Sequence, residues 1–138
     1  MRRLSNIAAI SNGLQNVSNP YTKGLQMRTY YLQDMAAAYI EAAYFTDQEE
    51  GADAEFTREF EAAAYDACAN FENACNLLEI DLRALYPDPT QLGHDLWYTR
   101  NGHGVGFWDR PKDVYGEHAD IFTGMARAQG YHDVEFIE

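Results

Sequence analysis

The segment of residues 93–110 constrains most strongly what this chain can fold into. It contains both tryptophans, two of the four histidines and four of the ten glycines. On either side of Asn101 and Gly102 the side chains alternate with the period of two that is typical of a strand, over residues 96–100 and again over residues 105–109. Because Asn-Gly is the strongest short signal for a two-residue turn, we predict an antiparallel β-hairpin here. An isolated hairpin is only marginally stable, so it needs a further strand or a covering helix.

The residues after the hairpin are predicted to supply both a covering helix and a further strand. Residues 114–129 have the apolar spacing of a helix, and Gly130 stands where a helix would end. Residues 131–138 alternate apolar and polar side chains, which predicts a short strand that pairs with the hairpin. Residues 93–138 are therefore expected to form a β-hairpin, a helix and a strand.

The residues before the hairpin are predicted to be helical. Apolar side chains repeat at spacings of three and four over residues 24–45 and again over residues 53–79, where Asp53 is a plausible N-cap. A short acidic loop joins these stretches, so residues 24–86 should form an antiparallel helical hairpin that Pro87 ends. Residues 1–23 show no sustained period and are predicted to be an arm or a short helix.

These elements predict one α+β domain over residues 1–138, since a single core typically spans about 100 to 150 residues. Cys68 and Cys75 lie two turns apart on one helix, at a separation of roughly 10 Å, which is too far for a disulfide. We expect both thiols to be reduced and buried. No apolar run approaches the roughly 20 residues that a membrane-spanning helix needs.

The charge of the chain is unevenly distributed. The net charge is −12, and residues 1–33 contribute +4, residues 34–95 contribute −13 and residues 96–138 contribute −3. Such a negative field repels nucleic acid and favours a basic partner. The alternative is a solvated acidic face that only keeps the protein soluble. The acidic face that we predict for partner binding comprises Asp53, Glu55, Glu59, Glu61, Asp66 and Glu72.

The hairpin itself offers an alternative site. Histidine and carboxylate side chains can bind zinc or iron, or exchange protons with a substrate. The candidate residues are His94, Asp95, Arg100, Asn101, His103, Trp108, Asp109 and Arg110. The nine-residue spacing of the two histidines matches no established metal motif, so local hydrogen bonding is the favoured role. We predict no catalytic residue, no metal and no cofactor.

The motif in this segment is similar to one found in small uncharacterised proteins of tailed bacteriophages. The family pattern is G-H-D-F-W-x-T-R-N-G-H-G-x-G-F-W-D-R, and the similarity covers roughly residues 88–138. Leu96 departs from the pattern by an apolar swap. The resemblance implies a phage origin and no particular reaction.

Small acidic phage proteins often bind a host protein, sometimes by imitating nucleic acid. The resemblance and the charge together predict a non-enzymatic protein of the host cytoplasm that inhibits or redirects a host protein with a basic surface. A homodimer would suit the tyrosine-rich first helix. Two alternatives stay open, a small-ligand or metal site at the hairpin with hydrolytic activity, and nucleic-acid binding by the basic N-terminal arm.

Overall fold

The structure is a computed structural model that describes residues 30–47 and 55–137. Predictions for the arm of residues 1–23 and for Asp53 therefore lie outside the described residues. The α-helices are α1 (Tyr31–Asp47), α2 (Arg58–Leu77), α3 (Leu82–Leu85), α4 (Thr90–Arg100), α5 (Lys112–Tyr115) and α6 (Ala119–Gln129). Two 3-10 turns comprise Phe107–Asp109 and Gly116–His118.

The predicted α+β class is wrong. Over the described residues the protein is helical, and its β-pairing is limited to one isolated antiparallel bridge between Phe56 and Phe136. The predicted sheet of a hairpin and a C-terminal strand is not formed there.

The segment predicted as a β-hairpin begins instead with helix α4. Leu92, Leu96 and Thr99 are buried at spacings of four and three, which is a helical period. Alternation over only five residues could not separate this pattern from a strand. Asn101 and Gly102 end the helix: the N–H of Gly102 donates to Thr99 and that of His103 to Tyr98, with Gly102 at a φ of 64°. This Schellman ending uses the same Asn-Gly preference for positive φ as a hairpin turn.

The C-terminal segment is extended but does not form the predicted strand. The N–H of Thr57 donates to the carbonyl of Glu135 at 2.9 Å, and the N–H of Ile137 donates to that of Glu55 at 2.7 Å. The segment thus pairs with the residues just before α2, because no hairpin exists for it to join.

The helix predicted over residues 114–129 is interrupted. Gly116 has a φ of 57°, which breaks the helical path between α5 and α6. Gly130, with a φ of 82°, ends α6 as predicted.

Both predicted long helices are present as α1 and α2. Thr57, rather than the predicted Asp53, caps α2: its hydroxyl accepts the N–H of Phe60 at 3.0 Å. The ring of Tyr44, late in α1, lies 6.0 Å from that of Phe56, and Tyr31, at the start of α1, contacts Arg83 beyond the far end of α2. The two helices are therefore antiparallel.

Helices α1 and α4 pack tightly against each other at Gly93. Gly93 lies against α1 so tightly that a Cβ atom there would be 2.2 Å from the carbonyl oxygen of Met35. One turn further along, the rings of Tyr39 and Trp97 meet edge to face at 5.4 Å. A glycine is thus required where the two helices cross.

The core continues from this crossing to α6. Phe71 stacks on Phe107 at 5.4 Å, and both rings contact Phe122. Cys68 and Cys75 are free and buried, as predicted. Burial raises the pKa of the Cys75 thiol to about 12, so the thiol is unreactive at neutral pH. None of the described helices is long and apolar enough to cross a membrane.

Candidate functional site

Asp95 is the centre of the segment of residues 93–110. Its side chain is fully buried on α4. Arg110 donates to it from Nε at 3.1 Å and from a terminal nitrogen at 2.6 Å, and the hydroxyl of Tyr115 donates at 2.7 Å. Gln91 adds a fourth donor. A buried carboxylate is stable only with such partners, and here every partner is a side chain of the same fold.

The pKa values around this carboxylate follow from its geometry. Burial, and then the negative charge of Asp95, raise the pKa of the Tyr115 hydroxyl far above its ordinary value. The hydrogen bonds to Asp95 raise the pKa of Arg110. Tyr115 therefore stays a hydrogen-bond donor to Asp95, and Arg110 stays charged beside it.

Arg100 joins the end of α4 to the end of α6. Its guanidinium donates to the carbonyl of Gly130 at 2.6 Å, to that of Gln129 at 3.1 Å and to the hydroxyl of Tyr39 at 2.9 Å. The carbonyls that α6 leaves unpaired are thereby satisfied by a cation, which is the favourable sign at a helix C-terminus. Arg100 is occupied inside the fold and is not presented to an anionic ligand.

His132 lies beside this cation and was not identified from the sequence. Its Nδ1 accepts the hydroxyl of Tyr39, and its ring stacks on Phe60 at 4.7 Å. Burial and then the charge of Arg100 lower the pKa of His132. A neutral His132 therefore holds the C-terminal segment in place.

Three further polar residues hold the chain around the loop that follows α4. Thr99 Oγ1 accepts the N–H of Phe107 at 3.1 Å, and Asp109 accepts the N–H of Gly106 at 3.0 Å. Asn101 accepts the N–H of His132 at 2.8 Å. Gly106 lies against Thr99, with a φ of 153° and no room for a side chain. These bonds explain most of the polar motif as local structure.

The two histidines of the segment both lie near the ring of Tyr98, at 6.4 and 6.3 Å, but have different further neighbours. His94 pairs with Glu41 of α1 at 2.9 Å. His103 is exposed in the loop, where its ring lies 6.1 Å from that of Trp97. Trp108 is 46% exposed. No group of three side chains able to hold a metal occurs among residues 30–47 and 55–137. His94, His103 and Asp109 therefore do not converge on one site.

The predicted acidic face is divided by the structure. Glu55, Glu59, Glu61 and Asp66 are exposed. Glu72 is only 13% exposed and forms a bidentate pair with Arg83, at 2.7 and 2.9 Å. Since Glu59 and Asp66 are seven residues apart, they lie on one stripe of α2, about 10 Å from each other along the axis. That stripe faces away from the buried side of the helix.

Half of the basic residues of the described chain are engaged inside the fold rather than exposed. Arg83, Arg100 and Arg110 are engaged inside the fold, in the contacts given above. The exposed ones are Arg58, Lys112 and Arg127. An open groove beside α1 is lined by Asp34, Glu41 and Asp88. Among the described residues, exposed carboxylates therefore far outnumber exposed basic side chains.

Sequence reasoning also missed an exposed apolar surface at the end of α2. Leu78 continues the apolar repeat predicted for residues 53–79, yet it is more than half exposed, as is Leu77. A signal was present in the sequence, since two leucines directly precede the polar Glu79 where the helical period ends.

Comparisons of the chain with known protein families, with curated proteins and with solved structures find no match.

Proposed function

We propose that the protein is a phage-encoded, non-enzymatic interaction protein that binds a host protein through the exposed carboxylates of α2. One observation carries the proposal. Carboxylates such as Glu59 and Asp66 face solvent, whereas Arg83, Arg100 and Arg110 are engaged inside the fold. A surface of this kind attracts a basic partner at long range and speeds its association.

The segment of residues 93–110 supports the same proposal indirectly. Asp95, Arg100 and Arg110, which could serve a reaction, have bonding partners that hold helices and loops together. The phage origin and the host location rest on the motif resemblance. Imitation of nucleic acid is part of the proposal, because a stripe of carboxylates presents the same charge as a phosphate backbone.

The proposal is tested by capture of proteins from a lysate of bacterial host cells. Glu59→Gln combined with Asp66→Asn removes two charges from the exposed stripe and keeps the shape of both side chains. We expect capture of the wild-type partner to fall by at least about tenfold, because each desolvated pair at an interface can contribute more than about 1 kcal/mol. Quantitative mass spectrometry of the captured proteins measures the change.

A matched control removes the same number of charges elsewhere. Glu117 and Asp120 are exposed near the start of α6, so Glu117→Gln with Asp120→Asn should leave capture unchanged. If both double variants lose the partner equally, total charge rather than the α2 stripe is responsible. If the α2 surface imitates nucleic acid, added double-stranded DNA should displace the partner. Equal capture by wild type and the Glu59/Asp66 variant would contradict the proposal.

A further inference from the structure

Four large apolar side chains are exposed where α2 ends and α3 follows. Leu77 is 84% exposed, Leu78 55%, Leu85 52% and Tyr30 56%. We call these four residues the end patch. Tyr30 belongs to it by position, since the hydroxyl of its neighbour Tyr31 donates to the carbonyl of Tyr86, just after α3, at 2.7 Å. A concentration of exposed apolar side chains at one end of a protein is typical of a contact surface.

The helix ending explains why these leucines are not buried. The N–H of Glu79 donates to Asn76 and that of Ile80 donates to Cys75, which is a Schellman ending with Glu79 at the left-handed position. Ile80 turns inward and is buried, whereas Leu77 and Leu78 remain on the outside. Ile80 therefore supplies the apolar side chain that usually accompanies a Schellman ending, and Leu77 and Leu78 are not needed for it.

Glu79 itself is unusual at this place. Its φ of 61° is the only positive value among the described non-glycine residues. Glycine is the favoured residue at this position of a helix ending, because a side chain there costs about 1 kcal/mol. The chain therefore holds the exposed carboxylate of Glu79 directly beside Leu78 in a strained conformation.

The rim of the end patch is acidic. Glu79 and Asp81 are both exposed between Leu78 and Leu85. Arg83, the nearby cation, pairs with Glu72 and lies over the ring of Tyr31. Interfaces with an apolar centre and a charged rim bind partners of the opposite charge pattern. A second copy of this chain would bring the same carboxylates against each other, so charge complementarity disfavours it.

We propose that the end patch is the anchor point for a protein segment that combines leucine-like side chains with lysine or arginine. The inference rests on the proposed function, and it adds where and by what chemistry the basic partner is held. The leucines supply the buried centre, and Glu79 and Asp81 pair with basic side chains around it. Such central apolar anchors carry most of the affinity of an interface.

The test uses the full chain and three synthetic peptides of equal length. One peptide has leucine and lysine at helical spacing, one replaces leucine by serine, and one replaces lysine by glutamate. Calorimetric titration measures each affinity. We expect the leucine and lysine peptide to bind at least about tenfold more tightly than the serine and lysine peptide, and the glutamate peptide to bind most weakly.

Substitutions then locate the binding. Leu77→Ser with Leu85→Ser should reduce the affinity for the leucine and lysine peptide to that of the serine and lysine peptide. Ile137→Ser is the control, because Ile137 is 57% exposed and its N–H donates to the carbonyl of Glu55, at the opposite end of α2 from Leu77. Since all three side chains are exposed, each variant should unfold within a few degrees of wild type, which thermal melting checks.

Three outcomes overturn the inference. The first is equal affinity for the leucine and serine peptides, and the second is an unchanged affinity after Leu77→Ser with Leu85→Ser. In either case, if a basic peptide still binds, the proposed acidic surface on α2 is not contradicted. The third is self-association in sedimentation that the same substitution abolishes, which would assign the patch to a second copy. The proposed function is decided separately, by the capture experiment with Glu59→Gln and Asp66→Asn.

Discussion

Replacement of Gly93 by alanine tests the helix crossing at the heart of the fold. The added carbon would lie 2.2 Å from the carbonyl oxygen of Met35, 2.9 Å from the Cβ of Ala38 and 3.0 Å from the amide nitrogen of Tyr39. The first distance is about 1.3 Å shorter than a comfortable contact of roughly 3.5 Å. Two of the three atoms belong to the backbone of α1, so they cannot move aside as a flexible side chain would.

The cost follows from these distances. To admit the methyl group, α1 and α4 must separate by about 1 Å, which forfeits roughly a quarter to a half of the dispersion energy of the contacts between them. Overpacking of this kind costs about 1 to 3 kcal/mol or more, against a gain of about 1 kcal/mol from the higher helix propensity of alanine. We expect a net loss of about 2 kcal/mol.

Thermal and denaturant unfolding measure this loss. For a chain of this length, 2 kcal/mol lowers Tm by roughly 8 °C. Gly124→Ala in α6 is the matched control, because no atom lies within 4 Å of the added carbon. It should stabilise the protein by about 0.5 to 1 kcal/mol. A Gly93→Ala protein that is as stable as wild type, or more stable, would refute the close crossing.

Three further predictions concern charged and titratable groups. Asp95→Asn should lower the free energy of unfolding by about 2 kcal/mol, because the charge that holds Arg110 is lost; an unchanged urea midpoint would contradict this role. The pKa of His132 is lower in the folded protein than its ordinary 6.5, so its contribution to stability is present above pH 6.5 and is lost as the pH falls below it. The drop in Tm between pH 7.5 and 5.5 should therefore be smaller in His132→Gln than in wild type, and an equal drop in the two proteins would contradict this. Glu79→Gly should raise the free energy of unfolding by about 0.5 to 1 kcal/mol and weaken binding of the leucine and lysine peptide; a loss of stability would show that Glu79 is not strained.

The long helices could be predicted because their signals extend over many residues. The buried residues Phe60, Ala64, Phe71 and Cys75 follow one helical stripe over the length of α2. A local ambiguity cannot overturn a pattern of that length. The burial of both cysteines followed from their place on this stripe.

The structure of residues 93–110 could not be predicted from the same kind of signal. Asn101 and Gly102 favour positive φ, and both a hairpin turn and a helix ending use that preference. The deciding contact is the approach of Gly93 to Met35 in α1, 58 positions earlier in the chain, which local alternation does not reveal. Once α4 is a helix, the C-terminal segment has no hairpin to join and pairs beside Phe56 instead.

The sequence identified some residues of the Asp95 cluster, but it did not reveal how they are arranged. Asp95 and Arg110 were identified together, and the structure joins them in one ion pair. The third partner, Tyr115, was missed because its hydroxyl reaches Asp95 only after the turn at Phe107 brings α5 back to α4. His132 was missed for the same reason, since its contacts with Tyr39 span most of the chain.

The most direct test of the central claim is the backbone conformation of residues 90–100 in solution. The claim is that this conspicuous segment builds the fold as a helix and turns Asp95 and Arg100 inward, which leaves the acidic surface of α2 and the end patch to meet a partner. Cα chemical shifts of the full chain measure the conformation residue by residue. We expect helical shifts from Thr90 to Arg100 that end at Gly102. Strand-like shifts on both sides of Asn101, with contacts across a hairpin turn, would contradict the claim.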